Sequence, residues 1–151
     1  MGRFLLCALA WGAFCFLASS GPAHDLPLSY VDLRVQPNHI EAAVEASAKN
    51  FARMLSGIDE ATLLDPSLLK STSARLTRAI DSGLSITSDG VKLQPHLRAL
   101  EALPGRADVR VSLEYPTTAT VDKLEIRSAL FAADPRHRTF LNVYDGQELK
   151  Q

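Results

Sequence analysis

Phe131-Ala132-Ala133-Asp134-Pro135-Arg136-His137-Arg138-Thr139-Phe140-Leu141-Asn142-Val143-Tyr144 is the stretch on which the fold turns. An apolar, strand-like run from Leu124 to Phe131 enters it, and a second from Thr139 to Tyr144 leaves it. Asp134-Pro135 is a turn breaker between the runs, because proline fixes φ and aspartate bonds local amides. His137 sits in the connection, flanked by Arg136 and Arg138. Two strands joined by a charged turn set the pattern sought in the rest of the chain.

Upstream, Val31, Leu33 and Val35 alternate with Tyr30, Asp32 and Arg34, a period-two pattern with one apolar face. Pro37-Asn38 marks a turn. Ile40, Ala42, Val44 and Ala46 then repeat the alternation, which predicts a hairpin. The period changes at Ala48. Phe51, Met54 and Leu55 fall at helical spacing, and Gly57 follows as a stop. Asp65-Pro66 is a cap and first-turn pair, opening one helix striped by Leu68, Leu69, Leu76 and Ile80 and ended by Gly83. Ser88-Asp89-Gly90 is a hairpin turn between Leu84–Thr87 and Val91–Leu93. Val109, Val111, Leu113 and Tyr115 share a strand face. Leu124, Ile126, Ser128 and Leu130 do the same, and Leu141 and Val143 finish the series before the Asp145-Gly146 turn.

The pattern is about seven short strands with a helical insert after the second. It predicts a mainly β chain, an immunoglobulin-like antiparallel sandwich. Residues 24–151 form a single domain on this reading, with the insert at about 47–83.

Residues 1–23 read as a secretory signal. Arg3 is followed by an apolar run from Phe4 to Leu17, shorter than the ~20 residues needed to span a bilayer. Small residues from Ala18 to Ala23 supply a cleavage site; cleavage after Ala23 starts the mature chain at His24, and cleavage after Ser20 is the rival. Cys7 and Cys15 leave with the leader, so the exported domain carries no disulfide. The 16 basic and 17 acidic side chains of the whole chain offer no excess for nucleic acid.

There is no Gly-x-Ser-x-Gly elbow and no glycine-rich phosphate loop, and the mature chain has no cysteine nucleophile, so the expectation is a non-enzymatic domain. Asp59, Glu60 and Asp65 read as helix-start charges. His39 and His96, each beside a turn signal, read as solvated turn residues. His24 is different. With a free α-amine it forms a compact nitrogen chelate suited to Cu(II) or Ni(II), which a second imidazole such as His137 could complete.

Ala23-His24-Asp25-Leu26 with Tyr30-Val31-Asp32-Leu33, and Asp134 through Tyr144, resemble the N-terminal extracytoplasmic region of HupE/UreJ-type membrane proteins. The resemblance covers roughly residues 23–151. It implies a soluble region of nickel or cobalt permeases or accessory proteins, and it adds Co(II) to the metals and Asp25 to His24 and His137 as candidate ligands. Nothing after Ala23 approaches a membrane-spanning length, so the family's transport activity is not carried over. The expected partner is a membrane protein, or the membrane-embedded remainder of the same family. The alternative is a metal-free module docking on a membrane or envelope protein.

Overall fold

A computed structural model describes residues 27–118 and 120–150. The chain is mainly β and has two sheets. Strands β1 (Leu28–Gln36) and β2 (His39–Ser47) form the expected hairpin. Helices α1 (Ala48–Leu55), α2 (Glu60–Leu64), α3 (Pro66–Ser71) and α4 (Ser73–Gly83) follow directly, so the insert falls where the change of period placed it. Then come β3 (Leu84–Ser88), β4 (Val91–Lys92), β5 (His96–Leu103), a 3-10 turn (Pro104–Arg106), β6 (Asp108–Pro116), β7 (Leu124–Ser128), β8 (Arg138–Asp145) and β9 (Glu148–Leu149). The larger sheet has the order β5-β6-β2-β1-β8-β9 and the smaller β4-β3-β7.

The alternating positions define the core. Val31, Leu33, Ile40, Val44, Val109, Val111 and Tyr115 have no exposed surface and line the inner face of the large sheet. From the helices, Phe51, Leu63, Leu76 and Ile80 are equally buried and join the same hydrophobic cluster. Each large apolar side chain removed from water contributes roughly 1.5–3 kcal/mol. The hairpin turn after β3 closes at Asp89 and Gly90, with φ of 49° and 84°. This pair of positive values matches the right-handed twist of the flanking strands, and glycine takes the second without steric cost.

Four features depart from the sequence pattern. The stripe read as one helix is two, because Ser71 and Thr72 turn their hydroxyls back onto the carbonyls of Leu68 and Leu69 (2.6 and 2.7 Å). Leu68 consequently faces solvent, 50% exposed, while Leu69 is buried. The run read as a strand to Phe131 stops at Ser128. Leu130 is buried in a turn, and Phe131 takes a left-handed φ of 58°. Strand β5 has no alternating pattern, because the chain bulges between Leu97 and Ala99 and shifts which face each side chain meets. Finally, β1 and β8 pair in parallel, Leu28 opposite Arg138 through Val35 opposite Asp145, whereas every other strand pair is antiparallel.

Candidate functional site

The parallel junction brings Ser29, His137 and Thr139 together. Ser29 is an inward-facing hydroxyl at the start of β1 with no exposed surface. Its Oγ lies 2.8 Å from His137 Nε2 and 2.9 Å from Thr139 Oγ1. The His137 ring leans on Phe131, centroids 4.6 Å apart, and Phe131 meets Phe51 edge-on at 5.3 Å. His137 Nδ1 is buried and has no hydrogen-bond partner among the described residues.

The preceding turn is self-satisfied. Asp134 Oδ1 accepts from the Arg136 N–H at 3.0 Å, and the Asp134 carbonyl accepts from the His137 N–H at 3.0 Å. The Arg136 backbone N–H holds the Asp134 carboxyl below the usual range, with the Arg136 and Arg53 charges assisting. Burial lowers the His137 pKa, and the nearby Asp134 charge opposes the shift. The ring therefore favours its neutral form. A cleft of about 890 Å³ lies beside it, lined by Asn50, Arg53, Met54, Leu130 and Phe131.

The Ser29–His137 contact resembles part of a nucleophile–base pair, but here the serine is the buried member. Ser29 has no exposed surface to present to a substrate carbonyl, and no carboxylate among the described residues holds Nδ1. Its structural effect is to tie β1 to the incoming end of β8.

Of the three candidate metal ligands, His24 and Asp25 lie outside the described residues. His137 is placed with one nitrogen engaged and the other enclosed. Among the described residues, no group of three or more His, Cys, Asp and Glu side chains converges to hold a metal ion. His39 opens β2, its Nδ1 2.8 Å from Asn38 Oδ1, and His96 opens β5 in solvent. Asp59 and Asp65 cap α2 and α3, accepting from Thr62 N–H (2.7 Å) and Ser67 N–H (2.8 Å), as helix-start charges should.

A second surface lies on the outer face of the large sheet, where register aligns side chains in rows. One row runs Phe140, Tyr30, Glu45, Arg110, Glu101, and another Tyr144, Arg34, Glu41, Glu114, His96. Between them Asn142, Asp32, Ala43, Ser112 and Ala99 form a low row with small side chains at its centre. The result is a trough of about 800 Å³. Tyr30 stacks on Phe140 at 5.5 Å, and Arg34 lies 4.4 Å over the Tyr144 ring. Glu45 takes Arg106 and Arg110. Arg98 bonds Glu114 and is the main cause of that carboxyl's lowered pKa. Asp32 accepts from Asn142 Nδ2 at 2.7 Å, and among the described residues no cation pairs with it.

The sequence carried two signals toward these sites. Sequence reasoning missed Ser29, although a serine at an inward position of a strand requires a hydrogen-bond partner, a signal that could have found it. The outward Tyr30, Asp32 and Arg34 were visible as a polar face, but the strand beside them was not. No described helix is long and apolar enough to cross a membrane. No protein-family model matches the chain, and no curated protein sequence matches it.

Proposed function

We propose that this chain is a non-catalytic, extracytoplasmic binding module that docks on a membrane or envelope protein. Its kinship on this reading is with the soluble part of HupE/UreJ-type proteins. The observation that carries the docking role is the trough on the outer face of the large sheet. Its floor of Ala43 and Ser112 is low enough to receive a partner's side chains, and its walls are aromatic and charged. Aromatic and arginine side chains held by stacking and ion pairs lose little entropy on binding, which suits them to recognition. The leader-like residues 1–23 support export.

The test places a photo-crosslinking residue at Ala43 in cells expressing the full sequence, with a second at exposed Leu68 as control. Crosslinking from position 43 to one envelope protein, absent from position 68, supports the reading. Recovery of the uncleaved chain from the cytosol removes it.

A metal reading is favoured by a separate observation. The Pro27 carbonyl accepts from the Arg138 N–H at 2.9 Å, so the described chain begins beside His137. His137 Nδ1 also lacks a partner there. Three residues reach at most ~10 Å, which keeps His24 and Asp25 within reach of that ring. On this reading the two residues and His137 bind Ni(II), Co(II) or Cu(II). Calorimetric titration of Ni(II) and Cu(II) decides it, using an authentic His24 N-terminus, a one-residue extension and His137→Ala. Affinity that ignores both changes removes the site.

A further inference from the structure

We infer that two copies of this chain pair through the free edge of β8, joining their large sheets into one. Each strand residue points its N–H and C=O to the same side, and alternate residues point to opposite sides. The Arg138 N–H bonds the Pro27 carbonyl, so residues 138, 140 and 142 address β1. Thr139, Leu141 and Val143 address the other side. The Val143 carbonyl confirms this phase by accepting from Lys150 N–H at 2.8 Å, where β9 covers the edge. Among the described residues, Thr139 and Leu141 face no strand.

The other edges of the molecule are blunted, β7 by its five-residue length and its charged Glu125 and Arg127. Strands β4 and β9 are two residues long, and β5 is bulged. The exposed part of β8 has neither device, and it carries Phe140, 50% exposed.

This edge is complementary to itself. A second copy related by a two-fold axis through the Phe140 pair sets Thr139 opposite the other copy's Leu141, and Leu141 opposite its Thr139. All four outward groups on each copy then bond, and the end of β9 shifts aside, because Lys150 lies beside Val143, next to the place the other copy's Arg138 takes. The two Phe140 rings meet at the close, non-hydrogen-bonded position and extend the Tyr30–Phe140 stack across the axis.

Charge complementarity selects a second copy over a foreign strand. In this register Arg138 stands opposite the other copy's Asn142, whose amide holds Asp32. Among the described residues Arg138 has no carboxylate partner and Asp32 has no cation, although the sheet's other outward arginines are engaged. Two such pairs form per dimer.

The test is sedimentation velocity on the chain recovered from cells expressing the full sequence. The expected species is a dimer that dissociates on dilution. Phe140→Lys, which puts two like charges on the axis, weakens association at least tenfold. Arg138→Asp and Asp32→Arg each do the same, and the double charge swap restores association. A monomer up to about 100 µM, where a standard interface is populated, overturns the inference even if the edge accepts a foreign strand. A dimer indifferent to Phe140→Lys also overturns it, and this exposed position decides the matter if Asp32→Arg fails to fold. Loss in both single reversals without recovery in the double overturns the charge pairing that selects a second copy.

Discussion

The His137 ring is held by two contacts of opposite character. Among the described residues Ser29 offers the ring's only hydrogen bond, and Phe131 packs an apolar ring against its face. Protonation would place a charge beside phenylalanine with one nitrogen enclosed and unpaired. The folded-state pKa is therefore lowered from the ordinary 6.5, burial being the larger cause and Asp134 the opposing one. The neutral ring's contribution to stability is whole above pH 6.5 and is lost as pH falls from there through the lower folded value. Urea unfolding at pH 7.5 and at pH 5 should thus show lower stability in acid, and His137→Phe should lose part of that difference. A pH dependence identical in the variant would show that another group carries it. The sequence located this histidine in a turn between strands, but could not show its burial. That burial depends on Ser29, more than a hundred positions away in the chain.

At the scale of elements, alternation was a sufficient guide wherever a strand has one dry face and one wet face. Strands β1, β2 and β6 follow their patterns because their inner residues meet the helical layer. The pattern weakened at the margins. Leu97-Arg98-Ala99-Leu100-Glu101-Ala102 lies on an edge and is bulged, so its apolar positions do not recur every second residue. The long apolar stripe of the insert was legible as helix. Its break was not, because Ser71 and Thr72 have ordinary helix propensity and act through hydroxyl bonds. The capping aspartates were legible outright. Asp65 accepts from Ser67 N–H and, at 3.1 Å, from Leu68 N–H, so Asp65→Ala should cost about 1 kcal/mol. Thermal unfolding should show that loss, whereas Lys70→Ala, on the exposed side of the same helix, should leave the midpoint within ~0.5 kcal/mol of the parent.

For the whole molecule, the parallel pairing of β1 with β8 organises what the parts can do. It sets Phe140 beside Tyr30, Asn142 beside Asp32 and Tyr144 beside Arg34. No local pattern announces it, because parallel and antiparallel strands of one sheet present the same alternation. The fold class could be read along the chain, whereas the outer face could be assembled only from strand order and register. Most ion pairs on that face are exposed and contribute at most about 1 kcal/mol each, so their main effect is to fix side-chain positions. The trough they border is the proposed contact surface, and its floor of small side chains is where an added bulky group blocks docking most directly. The decisive measurement is co-sedimentation of the chain with envelope vesicles from its own cells, comparing the parent with Ala43→Arg and Leu68→Arg. The account predicts at least tenfold weaker binding for Ala43→Arg and unchanged binding for Leu68→Arg; equal binding by all three would contradict it.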